Sequence, residues 1–148
     1  MPSALSEVSI KEIANTGNWL KTQEYNKYAL YGVSKGAEYA LTAASYLPKI
    51  TCVIAVSPID YIMEGLTIKI KLTGTSSWSS KGNSFPYAPI KMKMLRLIRN
   101  CIKERQVDMY FIKKLYKMLN KDAIIPIWTI NGSILFISAD DDIIWPSN

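Results

Sequence analysis

The sequence predicts an α/β fold in which mostly parallel strands are flanked by helices. Residues 28–31 are a short apolar, β-prone run that ends at Gly32, and residues 35–47 carry apolar side chains at helical spacing. Residues 51–57 are an almost continuous run of apolar and β-branched side chains, typical of a buried parallel strand. Strand, helix and strand in this order predict a βαβ unit, and residues 133–138 predict a further strand.

The helices on either side of the first strand are predicted from their apolar faces. Ile10, Ile13, Gly17 and Leu20 recur at helical spacing, with Ser9 as a candidate N-cap and Glu12 three residues later, as in a capping box. In the second helix the apolar face is small, so the helix can lie close to a sheet, and Pro48 ends it. The residues of this small face are Ala37, Ala40, Leu41, Ala44 and Leu47.

The chain has 148 residues, which predicts one domain in three parts. Residues 19–57 contain the βαβ unit, residues 58–124 an excursion, and residues 125–148 the last strand with the acidic turn after it. Within the excursion, residues 66–90 are predicted to leave the sheet and to contain a polar loop at residues 74–84. Residues 90–119 predict one or two basic amphipathic helices that form a cap.

Composition narrows the classes of function. The net charge is +6, and much of the excess lies between residues 91 and 121. Such a stripe is typical of the solvated face of helices; a phosphate-rich ligand or an acidic membrane surface is the alternative. No RNA-binding or helix-turn-helix signature accompanies it, so we expect no nucleic-acid partner. No apolar run reaches about 18 residues, so we expect no membrane span. Since the stripe is interpreted as a solvated face, we also expect no membrane partner.

The cysteine and histidine counts bear on metals and on the compartment. Two cysteines, Cys52 and Cys101, and no histidine make a zinc site improbable, and no metal or cofactor is predicted. The first residues have no basic start followed by an apolar segment, as a secretory signal would. We therefore expect a reducing, cytoplasmic compartment.

Residues 32–36, Gly-Val-Ser-Lys-Gly, match the G-x-S-x-G turn on which α/β-hydrolases expose a nucleophilic serine. Strand, turn and helix follow in the order that this elbow requires. Gly32 and Gly36 are expected to relieve crowding, Ser34 to be the nucleophile, and the backbone N–H of Lys35 to be an oxyanion donor. The alternative is a glycine-flanked strand-to-helix turn in another α/β protein.

A serine nucleophile needs a base, and the base is nearly always histidine. The chain contains none, and the Lys35 side chain is expected to turn away from Ser34 at the start of the helix. Candidate triad acids are Asp140, Asp141 and Asp142 after the last strand, with Asp60 after residues 51–57 as a second candidate. The alternative is that all four are ordinary loop carboxylates.

Several segments together resemble the C-terminal catalytic domain of acyl-CoA thioesterases and bile acid-CoA:amino acid N-acyltransferases, relatives of dienelactone hydrolase. The resemblance extends from about Trp19 to the last residue, and the string GVSKGAE is more specific to the group than the bare elbow. It is carried by residues 30–38 (LYGVSKGAE), 43–48 (AASYLP), 54–58 (IAVSP), 76–78 (SSW), 81–82 (KG), 86–87 (PY) with Pro89, 130–132 (ING), 134–135 (IL), Ser138, 141–142 (DD) and 145–147 (WPS).

The resemblance implies a partial α/β-hydrolase fold, an acyl-CoA thioester substrate, Ser34 as nucleophile and Asp142 as triad acid. The family's G-x-x-D turn has Ala139 at its glycine position here, which leaves Asp141 as the alternative acid. The family's histidine follows some tens of residues later, so we expect a catalytic-domain fragment, inactive alone. For the basic residues between 91 and 121, a solvated helix face is still the favoured interpretation, and contact with the phosphates of coenzyme A is the alternative that the resemblance implies.

Two other functions remain open at this point. The chain can be a catalytically inactive remnant or interaction module, because loss of a triad member removes several orders of magnitude in rate. It can also be a carboxylesterase or a dienelactone hydrolase-like enzyme. The sequence leaves the acyl-chain preference, the choice between hydrolase and acyltransferase, and the oligomeric state undetermined.

Overall fold

A computed structural model describes residues 4–69, 71–90, 103 and 120–139 as a mixed α/β fold. Two α-helices and nine strands make up the described elements, together with 3-10 helices at Lys121–Ala123 and Ile127–Thr129. The helices are α1 (Lys11–Thr22) and α2 (Lys35–Tyr46). The strands are β1 (Ala4–Leu5), β2 (Val8–Ser9), β3 (Leu30–Val33), β4 (Cys52–Val56), β5 (Glu64–Thr67), β6 (Leu72–Ser76), β7 (Trp78–Ser80), β8 (Asn83–Ser84) and β9 (Ser133–Ile137).

The central sheet contains the three strands that the apolar runs predict. Its order is β3-β4-β9, and both pairings are parallel. In register, Gly32 lies beside Ala55, and Ala55 beside Phe136. The predicted βαβ unit is therefore confirmed, although its first strand begins two residues later than predicted and includes Gly32 and Val33.

Helix α2 covers one face of this sheet. Ala37, Ala40, Leu41 and Ala44 are buried, as their small apolar face predicts, and they pack in one cluster with Val53 and Ala55 of β4. Leu47 is half-buried against the same cluster. Alanine keeps the helix close to the strands, since a small side chain lets two backbones approach.

The opposite face of the central sheet is apolar and exposed. Tyr31 and Val33 of β3 lie in register with Leu135 and Ile137 of β9 across β4, and the four side chains are 45 to 67% exposed. These exposed apolar side chains are grouped on one face, whereas exposed hydrophobic residues on most domains are scattered singly.

The polar loop predicted at residues 74–84 is wrong, although the described strands of residues 66–90 do lie outside the central sheet, as predicted. Strands β5 and β6 pair antiparallel with each other and with β1, and β7 and β8 form a third sheet with β2. The serine and threonine residues at 72–80 made this segment look like a loop, but it forms strands that are partly buried. Since these two small sheets pair mostly antiparallel, the described strands as a whole are mixed and do not form the mostly parallel sheet that was predicted.

The predicted capping box of α1 is also wrong. The N-cap is Ile10, which makes no side-chain cap, and its side chain is 2% exposed. Ser9 accepts a hydrogen bond from the N–H of Lys11, whereas Glu12 does not return one to Ser9. Burial of Ile10 in the core sets where the helix begins, and this outweighs the polar cap signal.

Several predictions fall on residues outside the described ranges. These are the amphipathic helices of 90–119, most of the basic stripe, and the acidic turn with Asp140, Asp141 and Asp142. Of the basic stripe, Lys103 and Lys121 are described, and both are exposed. Among the described residues, no helix has the length and apolarity that a membrane span needs.

The start of α2 lies unusually close to β3. A Cβ atom at Gly32 would overlap the backbone carbonyl of Gly36, so Gly32 is required by this contact. At Gly36 an added Cβ would have nothing within 4 Å, so the expectation that both glycines relieve crowding is wrong for Gly36.

The two glycines provide a matched test of this packing. We expect Gly32→Ala to lower the free energy of unfolding by about 1–3 kcal/mol, because the helix must move away from the strand. Gly36→Ala should be neutral or raise it by up to about 1 kcal/mol, since alanine favours helix. Urea titration of both variants measures the difference, and equal effects would contradict the close approach.

Candidate functional site

Ser34 stands where β3 ends and α2 begins, in a backbone conformation that non-glycine residues seldom adopt. Its φ is 51° and its ψ is −116°. The N–H of Ser34 still donates to the carbonyl of Val56 on β4 at 2.8 Å, so the strand ladder continues to this residue. Its own carbonyl accepts from the N–H groups of Ala37 and Glu38 in the first turn of α2. Left-handed non-glycine residues persist where the surroundings determine them, and they cluster at active sites.

The turn presents Ser34 to solvent. Ser34 is exposed, and its hydroxyl has no hydrogen-bond partner among the described residues. Lys35 is the first residue of α2, and the first N–H groups of a helix have no intrahelical acceptor. The N–H of Lys35 and the helix dipole therefore favour negative charge beside Ser34. This arrangement is chemically suited to attack by the serine hydroxyl and to stabilisation of an oxyanion.

A buried carboxylate lies beneath the turn. Glu38 is 1% exposed, and its Oε1 accepts hydrogen bonds from the N–H of Met63 at 3.0 Å and from Nε1–H of Trp78 at 2.8 Å. The ammonium of Lys35 donates to both carboxylate oxygens, at 2.9 and 2.8 Å, and lies 5.4 Å from the centroid of the Trp78 ring. Three donors from three parts of the chain thus meet at one carboxylate.

Burial dominates the electrostatics of the Lys35–Glu38 pair. Removal from water raises the pKa of Glu38 and lowers the pKa of Lys35, while the attraction between the two charges opposes both changes. Each group's hydrogen bonds to its neighbours favour the ionised form in the same way. The ammonium of Lys35 is held by Glu38, so it does not serve Ser34 as a base, in agreement with the sequence-based expectation that this side chain turns away.

Among the described residues, no hydrogen bond joins Ser34 to a candidate acid. Asp60 follows β4 at the surface, beside an open cavity of about 190 Å³ that is also bordered by Leu41, Ile127 and Phe136. Partial loss of water raises the pKa of its carboxyl group. Asp142 and its neighbours lie outside the described ranges. Within the described ranges, no cluster of histidine, cysteine, aspartate or glutamate has the size of a metal site.

Comparison with known families fits this geometry. The family model described as "BAAT / Acyl-CoA thioester hydrolase C terminal" matches residues 12–148, nearly the whole chain. The chain belongs to this family. No match to an individual curated protein was found.

In this member of the acyl-CoA thioester hydrolase family, sequence reasoning missed Glu38. A signal was present, because Lys35 and Glu38 are spaced i and i+3 and face each other on a helix. Glu38 also directly follows Ala37 on the buried face, where an ionised side chain is rare unless it is paired. The partner on the distant segment, Trp78, was not foreseen, because that segment was predicted to be a polar loop.

Removal of the buried carboxylate should destabilise the fold. We expect Glu38→Ala to lower the free energy of unfolding by about 3–5 kcal/mol, because it leaves the Lys35 ammonium and the N–H groups of Met63 and Trp78 without their acceptor. Urea denaturation followed by circular dichroism measures this. Glu12→Ala, at an exposed position of α1, is the matched control and should stay within about 0.5 kcal/mol of the unmodified chain. A similarly small effect of Glu38→Ala would contradict this role.

Proposed function

We propose that Ser34 is the nucleophile of an acyl-CoA thioester hydrolase or acyltransferase, built on a partial α/β-hydrolase fold. The observation that carries the proposal is the conformation of Ser34: a left-handed, solvent-exposed serine between a parallel strand and a helix, with helix N–H groups beside it. Family membership supplies the substrate class, an acyl-CoA thioester.

In the proposed reaction, Ser34 Oγ attacks the carbonyl carbon of the thioester while a base takes its proton. A C–O bond forms, and the negative charge on the former carbonyl oxygen is stabilised by the N–H of Lys35. The C–S bond then breaks, and the thiolate of coenzyme A takes a proton as it leaves. Water, or an amino acid in the transferase branch, attacks the acyl-serine and restores Ser34.

The base is the part of this mechanism that the 148 residues do not contain. Histidine is absent from the sequence, and Lys35 is occupied by Glu38. By its resemblance to the family, Asp142 is assigned as the triad acid, which would orient a histidine. We therefore propose that the chain by itself has little triad activity. With an acyl-CoA substrate, its setting is lipid and fatty acid metabolism in the cytoplasm.

The proposal is tested by labelling with a fluorophosphonate, which places a phosphonyl group on an activated serine and releases fluoride. We expect slow labelling of the chain alone and acceleration by roughly tenfold or more in added imidazole, since a general base contributes about 10²–10⁴ in rate. Ser34→Ala should abolish the label. Ser133→Ala, an exposed serine at the opposite end of the central sheet, is the matched control.

Each result decides between the candidate functions. Rapid, stoichiometric labelling of Ser34 without imidazole would show that the chain contains its own base. No Ser34-dependent label in imidazole would contradict the nucleophile and favour an inactive remnant or interaction module. Under the same conditions, release of thiol from an acyl-CoA is expected; cleavage of p-nitrophenyl esters without thiol release would favour the carboxylesterase alternative.

A further inference from the structure

All three strands of the central sheet end in serine at the same level. Ser34 follows Val33, Ser57 follows Val56 and Ser138 follows Ile137, and these three preceding residues are in register. The ladder extends into the serines, because Ser34 N–H donates to Val56 and Ser57 N–H donates to Ile137, each at 2.8 Å. Ser57 is thus the direct neighbour of Ser34, at about the 4.8 Å spacing of adjacent strands.

Ser57 has a positive φ, as the proposed nucleophile does. Its φ is 45°, against 51° at Ser34. No residue of the described chain between β9 and residue 139 has a positive φ, so Ser138 does not share it. Two adjacent strands therefore turn left-handed at serine, at the edge where Ser34 is exposed. A non-glycine residue in this conformation is strained, and strain of this kind concentrates at functional sites.

The Ser57 hydroxyl makes no hydrogen bond within the part of the chain that the structure describes, although Ser57 is half-buried. The buried Ser77 and Ser79 do have a hydrogen-bond partner: Ser77 donates to the carbonyl of Met63, and Ser79 to the carbonyl of Glu7. The half-buried Ser80 has none among the described residues, but it lies in β7, outside the central sheet. A hydroxyl without a partner beside the proposed nucleophile is available to a bound acyl group.

We propose that Ser57 is a substrate-contacting residue whose hydroxyl donates a hydrogen bond to the oxygen of the acyl group carried by Ser34. This inference rests on the proposed function of Ser34. It adds a side-chain donor on β4 to the backbone donor at Lys35. The bond stabilises the charge that develops on that oxygen during attack, so loss of the hydroxyl slows acylation without affecting the fold.

The test is the rate of fluorophosphonate labelling of Ser34 in imidazole, with the phosphonyl oxygen in place of the acyl oxygen. We expect Ser57→Ala to slow labelling about tenfold, the effect of one lost hydrogen bond to a charged group. Ser57→Gly removes the hydroxyl and also relieves the left-handed backbone, and it should be slow as well. Ser57→Asn tolerates this backbone and keeps a donor, so it should recover part of the rate.

Thermal unfolding of each variant separates a chemical effect from a loss of fold. Slow labelling of Ser57→Ala and Ser57→Gly at an unchanged unfolding temperature supports the inference. Labelling of both at the unmodified rate overturns it and leaves Ser34 as nucleophile. Normal labelling of Ser57→Gly with slow Ser57→Ala also overturns it, because the backbone alone would then matter. Absence of label on the unmodified chain overturns the proposed function itself.

Discussion

The hydrogen bonds to the buried Glu38 carboxylate hold together the parts of the structure that surround the candidate site. They join the first turn of α2, through Lys35, to the segment that begins at Met63 and to the ring of Trp78. Trp78 stacks at 4.5 Å on Tyr39 of the same helix, so apolar contact and a polar anchor act on one side chain. The small sheets formed by residues 64–84 are thereby fixed against the helix that presents Ser34.

A charge in such a place has a large desolvation cost, and an isolated one would be strongly destabilising. Every neighbour of the Glu38 carboxylate that is named above is a donor, and one of them carries the opposite charge. No buried side-chain nitrogen or oxygen among the described residues lacks a partner. The pair is therefore a fully satisfied network, which favours one geometry at the turn.

The strained turn depends on the same construction. Ser34 is tied to β4 through its N–H and to α2 through its carbonyl. Gly32 lets α2 approach the strand, and the Glu38 network holds the first turn of that helix in place. The ties to β4, to α2 and to the Glu38 network together hold Ser34 in a conformation that an unconstrained serine would seldom adopt.

The sequence predicted the central sheet and α2 because their signals are local: continuous apolar runs, a small helical face and Pro48 after it. It also predicted the turn at Ser34. The strands of residues 64–84 were missed because serine and threonine dominate them, and their burial depends on distant partners. Ser57 was missed because an ordinary strand end does not reveal a left-handed residue. The role of Gly36 was misjudged, since a motif does not state which of its glycines is crowded.

A double-mutant cycle between Glu38→Met and Trp78→Phe tests most directly whether this carboxylate fastens the Trp78 segment to the helix. Methionine keeps the bulk of Glu38 and removes the acceptor, and phenylalanine removes the Nε1–H donor. Free energies of unfolding should show a coupling of about 1–3 kcal/mol, with none between Glu38→Met and the exposed Trp128→Phe. Additive effects of Glu38→Met and Trp78→Phe would contradict the account.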